Sequence, residues 1–253
     1  MRKSYFSIWL AATASLFFAT CGFADGNTKA EQLKILVYGA TGKLGVHVVN
    51  EALNRGHFVT AVSRDPSRIT QKNQSLSAVQ GDILDLESIA NLLVDQDVVI
   101  ISVRGVIAKS KDPNDAVQFL AVEKTVEALR AMGSDAPRLI HVGGAGSLEV
   151  KPGVLYAQRL PKVFMPKKLE VEIAGQVLTL QYLRTVKDVS WSYATPPKNF
   201  TNGKRTGVFR IGGDQVLEDS LGRSRVSRAD FAVALIDEAE NMEYMQKRFS
   251  VAY

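Results

Sequence analysis

Gly39, Gly42 and Gly45 recur at intervals of three directly after the apolar run Ile35-Leu36-Val37-Tyr38, and Leu44, Val48 and Ala52 then follow at helical spacing. A strand, a glycine turn and a helix in that order can hold a pyrophosphate. The first glycine makes the sharp reversal, the second lets the backbone approach the phosphates, and the third lets the helix pack close on the strand. Unpaired N–H groups at the helix start then meet the phosphate oxygens. Gly39, Thr41, Gly42, Lys43, Leu44 and Gly45 are therefore the candidate phosphate-binding turn of a dinucleotide site. The plain alternative is a tight strand-to-helix turn with no ligand.

Arg64 lies nineteen residues beyond Gly45, directly after Ser63, where the second apolar run ends. An acidic residue at such a position binds the ribose hydroxyls of NAD(H), and a basic one accommodates a 2′-phosphate. Arginine pairs with that phosphate and serine hydrogen-bonds to it, so the pattern predicts NADP(H) in preference to NAD(H). Asp82 and Ile83 follow the third run, where an adenine would lie. Asp82 could accept from the adenine amine or cap the helix that starts near Asp85.

Ser102 ends the fourth run and the small residues 142–146 end the fifth, positions that would flank the ribose and nicotinamide. Four further side chains are candidates for the substrate. Arg104 suits a phosphate or carboxylate, and Ser147 is either a donor to a bound carbonyl or a turn-forming serine. Tyr156 and Phe200 either stack on a planar acceptor or pack their own loops. His141 reads as a core histidine, and no spacing of His, Asp and Glu resembles a metal site.

These residues need a scaffold that brings strand ends together, and the rest of the chain supplies one. Apolar runs at 34–38, 57–62, 76–79, 97–103, 138–142 and 189–194 alternate with helical periods at 44–52, 86–93, 116–132, 168–183 and 228–239. Such alternation predicts βαβ units and a Rossmann-like, doubly wound parallel sheet covered on both faces, in an α/β chain. Val98-Val99-Ile100-Ile101 is apolar at every position, as a strand buried on both faces should be. Residues 147–166 read as a long loop over the carboxyl edge, and 206–217 as a β-hairpin turning at Gly212-Gly213. The expectation is one domain over 25–253 with that small carboxyl-terminal elaboration.

Composition excludes several classes. The 253 residues are 46% hydrophobic and 23% charged, which rules out a disordered, collagenous or coiled-coil chain. The net charge of +5 includes Arg2 and Lys3, and the remaining basic residues are interspersed with acids, so no nucleic-acid partner is predicted. Arg2 and Lys3 precede an uncharged stretch at 4–24, with small residues Gly22 and Ala24 ahead of the polar Asp25. This is the layout of a secretory signal peptide, cut after Ala24, and it predicts an exported, periplasmic protein. The same stretch could be retained as a membrane anchor, and Cys21, the single cysteine, could carry lipid.

Taken together, the glycine turn, Ser63-Arg64 and Gly81-Asp82-Ile83 resemble the atypical short-chain dehydrogenase/reductase superfamily. His141-Val142-Gly143-Gly144-Ala145-Gly146-Ser147-Leu148, Trp191-Ser192-Tyr193 leading to Pro196-Pro197, Arg205-Thr206-Gly207, Gly212-Gly213-Asp214-Gln215 and Ser224-Arg225-Val226-Ser227-Arg228-Ala229-Asp230-Phe231-Ala232 resemble its NAD(P)H-binding branch of NADH-flavin reductases, whose relatives include biliverdin reductases and NmrA-like redox sensors. The likeness runs over 34–253. It implies cofactor contacts at Gly39, Thr41, Gly42, Lys43, Leu44, Ser63, Arg64, Asp82, Ile83, Thr195, Pro196 and Pro197. Phe164-Met165 stands where that branch often has a Tyr-Lys pair.

The main short-chain branch protonates a developing alkoxide with a Tyr assisted by a Lys four residues later. Here the residues four places after Tyr5, Tyr38, Tyr156, Tyr182, Tyr193 and Tyr244 are Trp9, Gly42, Leu160, Val186, Pro197 and Arg248, and Tyr253 is last. Hydride transfer to a flavin or quinone leaves a delocalised anion that water can protonate, so it needs positioning more than acid catalysis. The sequence thus predicts an oxidoreductase that uses NADPH and passes hydride to a small-molecule electron acceptor, with FMN or FAD as a diffusible substrate. The alternative is an NADP(H)-binding redox sensor without turnover.

Overall fold

The central apolar runs become strands because they are flanked by turn signals and covered by helices on both sides, whereas the run at 76–79 forms an edge strand that stays largely exposed. A computed structural model describes residues 31–107, 110–161, 163 and 165–253. The leader with its cut after Ala24, Cys21 and Phe164 lie outside the described residues. The strands are β1 (Lys34–Tyr38), β2 (Phe58–Ser63), β3 (Leu76–Gln80), β4 (Val98–Ile101), β5 (Arg138–Val142), β6 (Glu149–Lys151), β7 (Val154–Leu155), β8 (Trp191–Thr195), β9 (Asn199–Thr201), β10 (Arg210–Gly212), β11 (Arg225–Ser227) and β12 (Lys247–Ala252). The helices are α1 (Gly45–Asn54), α2 (Leu86–Leu93), α3 (Val117–Met132), α4 (Lys167–Thr185) and α5 (Arg228–Asn241).

The main sheet runs β10-β12-β8-β5-β4-β1-β2-β3, parallel throughout except for β10 against β12. Alternate residues serve opposite faces. Ile35 and Val37 join a core with α1 and α5, whereas Leu36 and Tyr38 join one with α2, α3 and α4. This is the predicted doubly wound fold. The strand order changes direction between β1 and β4, and the carboxyl ends of those neighbours open the crevice where such sheets bind ligands.

Two expectations are corrected. Residues 206–217 do not fold as a hairpin on themselves. Arg210, Ile211 and Gly212 pair instead with Ala252, Val251 and Ser250 of β12, which closes an otherwise open edge of the sheet. The chain then leaves Gly213 toward β6, where Glu149 N donates to Asp214 O and Val216 N to Glu149 O, both at 2.9 Å. The stretch 147–166 is likewise more than a loop. It carries the antiparallel β6–β7 pair and a short 3₁₀ turn over Tyr156–Arg159. β12, which was not among the apolar runs, lies parallel beside β8.

Candidate functional site

Gly39 leaves β1 with φ +79°, and a Cβ there would stand 2.3 Å from Ser102 O on the neighbouring strand end. A Cβ on Gly45 would come within 2.0 Å of Gly39 O. Both contacts are impossible for a side chain, so the turn closes only with glycine at each place. Helix α1 then starts with no side-chain cap and no acidic residue in its first turn. The amides of Lys43 and Leu44 find no acceptor among the described residues. An uncapped helix start beside a glycine cradle fits a dinucleotide pyrophosphate, which would satisfy those amides.

A cleft of about 780 Å³ begins at this turn and extends along the carboxyl edge. Its near wall is Gly42, Lys43 and Leu44, followed by Ser102, Val103 and Arg104 after β4 and by residues 142–146 after β5. Pro196, Pro197, Lys198 and Phe200 come from beyond β8, Tyr156 and Leu160 from the short turn, and Glu172, Ile173 and Gln176 from α4. The volume is within the range of small-molecule sites. Ser63, Arg64, Asp82 and Ile83 sit at the adjoining ends of β2 and β3. Arg64 is exposed and makes no ion pair among the described residues. Asp82 accepts from Leu84 N at 2.9 Å, and the capping residue of α2 is Asp85. Ile83 is mostly buried in the α2 core and Thr195 wholly buried at the end of β8, just before Pro196.

Of the substrate candidates, Arg104, Tyr156 and Phe200 reach the cleft. Arg104 holds Glu172 Oε2 through Nε at 3.0 Å and Nη2 at 2.7 Å. Phe200 packs edge-on against Phe231, with the Arg228 guanidinium 4.9 Å from its ring centre. Lys198 stands 5.3 Å from the centre of the Tyr156 ring, its ammonium engaged by Glu218. Ser147 is elsewhere: it is buried, and its hydroxyl donates to Gly144 O at 2.9 Å, the turn-forming role. Sequence reasoning missed Glu172, Gln176, Lys198 and Arg228. Only Arg228 lay within a quoted motif, and α4 gave no signal because its polar residues are spread around the helix.

Beneath the cleft floor His141 is fully buried, with Nε2 3.4 Å from Gln176 Oε1. Burial pushes its pKa down to about 4, against a smaller opposite effect of that hydrogen bond. An unfolded histidine titrates near 6.5, so between the two values the unfolded chain binds a proton that the fold refuses. Stability is therefore full above about pH 6.5 and falls as pH drops toward 4, by about 3 kcal/mol in all. His141→Asn should remove most of that slope. Urea titrations at pH 7 and 4.5 check it, and equal slopes in both proteins would place the titration elsewhere.

The sequence matches the profile of the NAD(P)H-binding family across residues 39–241. The chain belongs to the NAD(P)H-binding family. Within it, the chain is 33% identical over 235 residues to the uncharacterized protein YwnB of Bacillus subtilis, covering 87% of this chain and 98% of that one. Two solved structures share the fold at higher than background identity. A "putative epimerase" of Bacteroides thetaiotaomicron superposes with TM-score 0.78 at 29% identity, covering 88% of this chain and 98% of that chain. A "putative NADH-flavin reductase" of Streptococcus pneumoniae superposes with TM-score 0.71 at 28% identity, covering 87% and 99%. This family member is thus an oxidoreductase-like Rossmann protein built for a nicotinamide cofactor. Among its described residues there is no cluster of metal-ligating side chains and no helix long and apolar enough to cross a membrane.

Proposed function

We propose that the protein is an NADPH-dependent reductase of a planar, conjugated acceptor such as a flavin or quinone. The observation that carries the reading is one continuous cleft that joins an uncapped phosphate turn to a chamber with Tyr156 and Phe200 in its wall. When bound, reduced nicotinamide supplies a hydride: its C–H bond breaks, two electrons pass to the acceptor with the hydrogen, and water provides the remaining proton. The chain's own residues bind and position. Lys43 and the Leu44 amide hold phosphates, Ser102, Pro196 and Pro197 border the nicotinamide, and the rings of Tyr156 and Phe200 receive the acceptor's flat face.

An epimerase reading, suggested by one relative's name, needs a base at a substrate hydroxyl. Tyr156, the cleft's phenol, has Leu160 four residues on, and Lys198 stands over its ring with its charge held by Glu218. The NADPH preference rests on Arg64, free at the end of β2. Export through the 1–24 leader belongs to the same proposal, and the mass of the mature chain, expected to start at Asp25, tests it.

The deciding experiment titrates the purified protein with NADPH and NADH, then follows loss of nicotinamide absorbance with FMN, riboflavin or menadione. NADPH should bind more tightly and be oxidised. Arg64→Ala should erase about 1–3 kcal/mol of the preference, roughly 5- to 150-fold in the ratio of Kd values, through loss of a charge-assisted phosphate contact. An unchanged ratio returns Arg64 to the surface. Tight binding with no oxidation by any acceptor replaces the reductase with a sensor.

A further inference from the structure

Gln176 is the polar side chain of α4 that enters the cleft without being committed to an ion pair, and its surroundings fix how its carboxamide faces. Tyr193 OH stands 2.8 Å from Gln176 O and 3.2 Å from Gln176 Oε1, and His141 Nε2 lies 3.4 Å from the same Oε1. The tautomer follows from the other ring nitrogen. His141 Nδ1 is buried and has no partner. A bare lone pair there costs less than a bare N–H, so the proton belongs on Nε2, where an acceptor stands. His141 Nε2–H then points at Gln176 Oε1 and turns the carboxamide oxygen inward, while the single Tyr193 hydroxyl hydrogen goes to the nearer main-chain Gln176 O and anchors that turn of α4.

The amide nitrogen faces the other way. Gln176 Nε2 has no acceptor among the described residues, and the side chain lines the cleft beside Gly143 and Gly144. A Cβ on Gly144 would stand 3.3 Å from Gln176 Cγ, and one on Gly143 would collide with the Tyr193 ring at 2.1 Å. The two glycines after β5 therefore leave the room in which this arrangement sits. Both supporting groups are fixed in protonation: burial keeps His141 neutral with a pKa of about 4 and pushes the Tyr193 hydroxyl up to about 12. Donors on the carbonyl side polarise an amide and strengthen its N–H groups as donors.

We propose that the Gln176 carboxamide is the hydrogen-bond donor for the acceptor's carbonyl oxygen, with His141 as the positioning residue that turns its NH₂ into the cleft and Tyr193 as the one that anchors its backbone. The inference rests on the reductase reading and narrows its substrate class to conjugated carbonyls, isoalloxazines and quinones. As hydride arrives, the acceptor gains two electrons and negative charge builds on that oxygen. A preorganised neutral donor meets it there, in place of the missing Tyr-Lys acid.

Gln176→Glu is the discriminating variant, because a carboxylate oxygen still accepts from His141 while the donor is gone. Full-length wild type and variant are assayed with FMN, menadione and the phenazinium cation, which takes a hydride without developing an oxyanion. FMN and menadione reduction should fall about a hundredfold, as for loss of an oxyanion donor, and phenazinium reduction by less than threefold. Flavin affinity, read by fluorescence quenching, should weaken, with NADPH affinity unchanged. Gln176→Leu should reproduce the split between acceptors if it folds. Equal losses for all acceptors, or none, overturn the role of Gln176. A wild type that reduces no acceptor overturns the reductase reading itself, and the donor role with it.

Discussion

Gly42→Asp should abolish NADPH binding while leaving the protein folded. A Cβ at this position meets only Gly39 O, at 3.0 Å, with nothing else within 4 Å, so the backbone needs to give by only a few tenths of an ångström. The added carboxylate then stands in the cleft next to the uncapped start of α1. There it can itself accept from the free amides, as an N-cap aspartate does, so the melting temperature should move by no more than about 1 kcal/mol's worth in either direction. For a dinucleotide the same carboxylate is an obstacle of like charge placed on its phosphate site. A penalty on the order of 4 kcal/mol, about a thousandfold in Kd, is expected from the repulsion and the lost amides. NADPH fluorescence titration beside a thermal melt separates the two effects. Undiminished affinity would mean that the phosphates bind away from this turn. Gly45→Ala makes the contrast, because its Cβ would press 2.0 Å from Gly39 O and 2.8 Å from Gly39 C, a backbone collision that damages the fold before binding is measured.

The same contrast explains what could be seen in the sequence. Gly42 and Gly45 were legible because the atoms a side chain there would meet lie within seven residues, Gly39 because the local turn demands φ +79° even though its Cβ would also meet Ser102 O, and β1 and β4 because burial on both faces erases polar positions. The hairpin at 206–217 was misread because Gly212-Gly213 is a valid turn signal, while the competing partner of Ile211 is Val251, forty residues away. Nothing local separates those two pairings. Glu172 and Gln176 were invisible for a related reason. Whether a polar residue of α4 faces solvent or the cleft depends on where Gly143 and Gly144 let the helix approach, and no periodicity in α4 encodes that. Ser147 was legible only as an alternative, a donor to a bound carbonyl or a turn-forming serine, and its hydroxyl closes a local turn on Gly144.

The acceptor wall of the cleft depends on a buried carboxylate, and its removal should strongly destabilise the fold. Asp230 is fully buried in the first turn of α5. It accepts from Thr206 N at 2.7 Å, Gly207 N at 2.8 Å, Thr206 Oγ1 at 2.8 Å and Tyr253 OH at 2.6 Å. Burial alone would raise its pKa, but these hydrogen bonds outweigh it and hold the carboxyl below the ordinary range. Asp230→Ala leaves four donors without their acceptor, for a loss of about 3–5 kcal/mol in urea unfolding at neutral pH. The sign with pH follows from the depressed value: the contribution is full above about pH 4 and disappears as pH falls through the folded pKa, so the gap between wild type and variant should close in acid. The functional consequence is local. Asp230 ties down the segment that leads from Phe200 through Arg205, and Phe200 rests on Phe231, the next residue of α5. Loosening that segment disturbs the wall that receives the acceptor, whereas the glycine turn is closed by its own Gly42 N to Gly39 O bond and takes no hydrogen bond from Asp230. At a temperature where the variant remains folded, KM for the acceptor should rise several-fold and the Kd for NADPH stay within about twofold. A stability loss below about 1 kcal/mol would show that the four donors find water instead, and an equal rise in both constants would show that the cleft behaves as one unit and not as two ends.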